Sequence, residues 1–130
     1  MPHIAEIVLA SLLANLPEIL FEERSDTLLE GEDFRMERIL SHGHKSPEGQ
    51  WYDQEWHEWV LLLKGAAQLR IEGRGMAVNL LPGDSLLLPA HCRHRVEWTP
   101  EHTTTVWLAL HYSDDAKSGG LLSCEEIHQT

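Results

Sequence analysis

From Phe34 onward the chain alternates short apolar runs with turn signals. The runs are Arg35–Ser41, Gln50–Gln54, Glu58–Lys64, Ala66–Glu72, Met76–Leu80, Ser85–Leu88, His94–Thr99 and Thr103–Tyr112. Between them stand breaks such as Ser46-Pro47-Glu48-Gly49, Lys64-Gly65, Gly73-Arg74-Gly75 and Leu81-Pro82-Gly83-Asp84. Closely spaced short strands with turn chemistry predict an all-β sandwich or barrel. Ala67, Leu69 and Ile71 alternate with Gln68, Arg70 and Glu72, which gives that strand one dry and one wet face. Val60-Leu61-Leu62-Leu63 is apolar on both faces, so it belongs inside a sheet or under a second layer. Earlier, Ile4, Ile7, Val8 and Leu12 stand near helical spacing until Pro17 stops any helix. Residues 3–16 therefore read as a short helix or an extended segment on a partner subunit. Glu18 to Asp33 carries seven acids and one arginine and reads as a solvated connector. The organisation expected is an N-terminal segment and acidic connector (1–33), a barrel (34–112) and a C-terminal tail (113–130), with Leu121-Leu122 as a docking point.

Composition narrows the function. The 130 residues fit one domain. Ten basic against 21 acidic side chains give a formal charge of −11. That balance argues against nucleic acid, which demands basic patches, and against anionic membrane surfaces. The apolar stretch Ile7–Leu16 is too short to span a bilayer, and no basic residue makes it a signal. Cys92 and Cys124 lack metal-type spacing, and a reduced cytoplasmic chain is expected, with Cys92 a buried inert thiol. No nucleophile elbow, phosphate-binding loop or dinucleotide fingerprint is present. Nine histidines raise the question of a metal or a proton.

Two segments carry the candidate chemistry. Pro82-Gly83-Asp84 makes a tight turn, and a strand leads to Pro89 and then His94. At period two His94, Val96 and Trp98 share a face opposite Arg93, Arg95 and Glu97, so His94 points inward. In Tyr52-Asp53-Gln54-Glu55-Trp56-His57-Glu58, Tyr52 and Gln54 share a face, residues 55–57 turn, and Glu58 opens the return strand. A carboxylate at the base of an apolar run must be paired, bound to metal or left at the rim. His57 and His91 are expected to face water. His42 and His44 are candidates for the pocket rim, and His111 for the barrel interior with a proton-transfer role. One or two of Trp51, Trp56, Trp59, Trp98 and Trp107 are expected to line the pocket. Arg93 and Arg95 suggest a basic mouth that attracts an anionic substrate.

Together these segments resemble the cupin superfamily over residues 34–112. Gly83, Pro89 and His94 fit its second motif, and Glu58 with Gly65 fits the end of its first. The Ser46–Gly49 and Trp51–Gln54 segments are similar to those of small single-domain bacterial cupins. The resemblance implies a cupin-type double-stranded β-helix, or jelly roll, around a pocket. It also implies a divalent metal (Zn, Fe, Mn or Ni) at the mouth. Where the family has its His-x-His, this chain has Tyr52 and Gln54 in one register, or Trp51 and Asp53 in the other. The metal set carried over is Gln54, Glu58 and His94, with Asp53 as the alternative to Gln54, and the site is also compatible with being empty. Tyr52 and Glu58 are the candidate proton-moving residues. Two functions stay open: a metal-dependent enzyme of undetermined class (oxygenase, isomerase or lyase), and a non-catalytic cupin that binds or senses a small molecule. A homodimer through β-edge pairing is expected.

Overall fold

The structure, a computed structural model, describes residues 6–113. Its elements are β1 (Arg24–Glu30), β2 (Phe34–Ser41), β3 (His57–Lys64), β4 (Ala67–Ile71), β5 (Val78–Leu80), β6 (Ser85–Leu88), β7 (His94–Trp98) and β8 (Thr105–Tyr112). They form a five-stranded sheet, β1-β2-β8-β3-β6, and a three-stranded sheet, β5-β4-β7. Every pairing is antiparallel.

Alternation decides what each strand buries. On β4, Ala67, Leu69 and Ile71 are buried and Gln68 and Arg70 are half-buried. On β3, Val60 and Leu62 are buried while Leu61 and Leu63 are partly covered. That strand lies between β8 and β6, which explains why its sequence is apolar on both faces. Leu62, Leu69, Ile71, Leu80, Leu88 and Trp107 belong to the core cluster between the sheets.

Turn residues fix the strand ends. Pro82 and Gly83 occupy the centre of a turn closed by the Asp84 N–H donating to the Leu81 carbonyl (2.9 Å). Gly83 has φ +95°, as the third position of a type II turn requires. Gly65 follows β3 at φ +89°, and a Cβ there would lie 2.5 Å from Thr105 Oγ1 and 2.9 Å from its Cα.

Several local expectations are overturned. The acidic connector supplies β1, which pairs with β2 from Arg24↔Leu40 to Glu30↔Arg35. It is an edge strand, exposed or half-exposed throughout, and its charges suit an edge that must not recruit another sheet. Residues 6–16 form no helix: Ile7, Val8 and Leu9 are almost fully exposed, and a short helix with nothing to pack against is marginal. Gln50–Gln54 is no full strand and makes only an isolated bridge, Tyr52↔His94. Trp98 is 48% exposed rather than inward with His94. Gln68 pairs with Trp98 but Leu69 with Val96, so Glu97 is an extra residue, and such a bulge re-aims the side chain after it. Cys92 is buried, but as part of a disulfide rather than a free thiol. Cys124 and Leu121-Leu122 lie outside the described residues.

Candidate functional site

The inner faces of the two sheets diverge into a cavity of about 180 Å³. Alternate residues of β2 (Arg35, Glu37, Ile39) line one wall. Glu58 and Val60 of β3, His94 and Val96 of β7, and Trp107 and His111 of β8 supply others. Tyr52 and Gln54 reach the cavity from the segment before β3. That segment is laced to the chain around β7. The Tyr52 N–H donates to the His94 carbonyl (2.7 Å), the His94 N–H returns the bond (3.1 Å), and the His91 N–H donates to the Gln54 carbonyl (2.8 Å). These bonds hold Tyr52 and Gln54 in place without a complete strand.

His94 is oriented by its own turn. Its Nδ1 lies 2.9 Å from the Cys92 carbonyl, which can only accept, so Nδ1 carries the proton. Nε2 then faces the interior, 3.4 Å from Glu58 Oε1. A backbone carbonyl on the far nitrogen is the usual way an imidazole is prepared as a ligand. The Tyr52 ring stacks on His94 at 5.6 Å between centroids. On the neighbouring strand of the same sheet, His111 Nε2 lies 3.9 Å from Glu58 Oε2, and the same nitrogen is 3.5 Å from Glu37 Oε2. Glu37 Oε1 in turn meets Arg35 Nε at 2.6 Å. Glu58, His94 and His111 are each buried.

Gln54 Oε1 is buried and accepts no hydrogen bond. Burying such an acceptor without a donor is costly, so the atom points to a partner supplied by something else. The expected metal set therefore lines one cavity. Two atoms held about 2.1 Å from one tetrahedral ion lie roughly 3.4 Å apart, which is the His94–Glu58 spacing. With Gln54 as third donor, these residues fit a first-row divalent ion. Among the described residues, no three His, Cys, Asp or Glu side chains gather as a metal-holding group. Asp53, the alternative ligand, instead meets exposed His91 at 2.9 Å.

Burial shifts two groups. The Tyr52 phenol is pushed up, first by desolvation and then by the charges of Glu23 and Glu58, against a bond to Ser46. Glu23 is exposed as a residue, but its carboxylate turns toward the Ser41 hydroxyl, which donates to it at 3.2 Å. Desolvation raises it, and the charge of Glu58 adds to that rise; the Ser41 bond and His44 oppose it.

Several histidine expectations change. His57 is buried, because it opens β3. The Ala90 N–H donates to its Nδ1 at 2.8 Å, and its ring packs on Tyr112. His42 and His44 do not line the cavity; the His42 N–H donates to His44 Nδ1 at 2.7 Å. His111 faces the interior, as its strand position suggested, and Trp107 lines the pocket. The basic mouth is absent among the described lining residues: Arg93 pairs with Glu72 (2.8 Å) and Arg95 with Glu97 (3.1 Å), both away from the cavity. Sequence reasoning missed Glu23 and Glu37. Glu37 was findable, since it alternates with Ile39 on a strand whose other residues gave the period.

Comparison with known proteins agrees with this architecture. The profile described as AraC-like ligand binding domain matches residues 37–118. A Ralstonia eutropha JMP134 protein with the provisional name mannose-6-phosphate isomerase is 42% identical, over 82% of this chain and 98% of that one, with a TM-score of 0.80. A cupin superfamily protein from Desulfitobacterium hafniense DCB-2 superposes with a TM-score of 0.62 at 17% identity, over 76% of this chain and 84% of that one. A conserved Streptococcus pyogenes protein of unknown function gives 0.67 at 16%, over 87% and 93%. The last two show the fold alone. No functionally curated sequence matches.

Proposed function

Because the chain belongs to the family of AraC-like ligand-binding domains and folds as a small cupin, we propose that its barrel binds a divalent metal ion together with a small organic ligand. Gln54, Glu58 and His94 would be the metal ligands. The observation that carries this reading is the buried, unpartnered Gln54 Oε1 on the cavity that Glu58 and the inward nitrogen of His94 also line. Zn, Fe, Mn or Ni suits an imidazole with two oxygens. When bound, such an ion supplies Lewis-acid polarisation of a ligand oxygen. The chain's own groups divide the remaining tasks. Tyr52 lines the cavity and carries a phenolic proton that it can donate there. Glu58, between His94 and His111, can accept one. The name of the Ralstonia protein would extend this to sugar-phosphate isomerisation, for which the lining offers no dedicated phosphate cradle.

The test is metal titration of the purified chain, followed by elemental analysis. Near-stoichiometric binding, weakened roughly tenfold or more by Gln54→Leu, is the expected result. Less than about a tenth of an equivalent of every metal offered would overturn it.

A second reading, a metal-free binder or sensor, is favoured by the direct approach of His94 to Glu58 and of His111 to Glu37, at 3.4 and 3.5 Å. Ligand binding that is unchanged by a chelator would select it. For assembly, we propose a homodimer joined with help from the N-terminal segment.

A further inference from the structure

We infer that the cavity takes a compact molecule rich in hydrogen-bond donors and free of acidic groups, and that it turns away phosphorylated and carboxylated compounds. The inference rests on the reading that the barrel binds a small ligand. It adds the charge and polarity of that ligand.

The first ground is the balance of fixed charge. Three carboxylates line the cavity, those of Glu23, Glu37 and Glu58, against a single guanidinium, Arg35. That guanidinium meets Glu37 through its Nε. The two imidazoles of the lining also face carboxylates: His94 meets Glu58, and His111 sits between Glu37 and Glu58. Among the described lining residues the carboxylates therefore outnumber the fixed cation three to one. Phosphate recognition relies on uncommitted Arg or Lys donors, or on a cradle of backbone N–H groups.

The second ground is the orphaned atom. The carboxylates of Glu23, Glu37 and Glu58 around the cavity are acceptors, and in the metal-free chain Gln54 Oε1 is one more. What is lacking is a donor. A hydroxyl or amine supplies one, whereas an ionised phosphate or carboxylate brings only more acceptors.

The third ground is the field inside. Glu23, Glu37 and Glu58 outnumber Arg35 around the lining, so the fixed charge there is net negative. The arginines that could have reversed this, Arg70, Arg93 and Arg95, are paired with Glu72 and Glu97 on the outer face of the small sheet. Size sets the last limit. A cavity of about 180 Å³ lies below the roughly 300–1,000 Å³ usual for ligand pockets, which favours a compact guest of monosaccharide size or smaller.

The experiment is ligand-observed NMR followed by calorimetry on the full chain, with and without added zinc. The probes are small metabolites in matched pairs that differ only by a phosphate or carboxylate, such as mannose, mannosamine, mannose 6-phosphate and mannuronate. Without added zinc, the neutral or cationic member should bind at least about tenfold tighter than its anionic partner. Glu37→Gln removes one wall carboxylate at nearly constant shape, and should narrow the gap by several-fold through recovery of the anionic member. Anionic members that bind as tightly as their partners overturn the inference and leave ligand binding standing. A gap that Glu37→Gln does not change also overturns it. No binder anywhere in the panel removes the ligand reading and this inference with it.

Discussion

Glu58 is the residue through which the site is wired. One oxygen faces His94 and the other faces His111, so a single carboxylate holds two imidazoles on opposite walls. Glu58→Gln keeps the shape and removes the charge. In a histidine-detected NMR spectrum the ring nitrogens of both His94 and His111 should move, while His57, held by Ala90, stays where it is. Movement of only one of the pair would break the wiring. Glu23 permits a pH experiment. Its carboxyl titrates above its usual 4.5 because burial disfavours the charged form. The folded chain therefore holds that proton longer than the unfolded one, and this group's contribution to stability falls as pH rises from about 4.5 through the raised value. Denaturation of Glu23→Gln should match wild type below that window and gain on it above. A constant difference across pH would show that Glu23 does not titrate with folding. Tyr52, Gln54, Glu58 and His94 were legible as candidates because each combines polar chemistry with a strand position or turn motif. Glu23 was hidden in a charge run, where composition suggested solvent and only the Ser41 contact draws it in.

At the scale of elements, the turn after β3 is the point of least tolerance. Gly65 combines φ +89° with a Thr105 backbone contact that any Cβ would violate. Gly65→Ala should cost about 1–3 kcal/mol, seen as a lower melting temperature, whereas Gly73→Ala, with open space around it, bears only the strain of its φ. Equal losses for the two would mean that the Thr105 contact does not matter. Seven of the eight observed strands match period-two patterns and turn residues, and that part of the fold was legible. What failed has a common cause, namely pairing that composition does not display. β1 is mostly polar, with one leucine on each face (Leu28 and Leu29), and exists because β2 offers it an edge. Gln50–Gln54 alternates well but has only one bridge to pair with. Trp98 turns outward because of a single extra residue opposite Leu69 and Gln68, and a one-residue slip flips a side chain to the other face.

At the scale of the molecule, the apolar residues Ile7, Val8 and Leu9 stand clear of the body, beyond the point where Arg38 donates to the Leu12 carbonyl. Large side chains in that state invite cover from a second copy. Sedimentation equilibrium should give twice the 14.8 kDa of the chain, and removal of residues 1–11 should return it to one. A full-length monomer would refute the dimer. The sandwich also has two unlike ends. Leucines, Ala67 and Cys92 close one region by packing, while at the cavity the large and small sheets meet through groups such as Glu58 on β3 and His94 on β7. Whatever enters between those two side chains becomes a spacer that sets how far β7 stands from β3. Occupancy is therefore written into the backbone: amide exchange along β7 should slow or quicken on binding while β2 and β8 hold steady. That would provide a gauge of a guest that works before its identity is known.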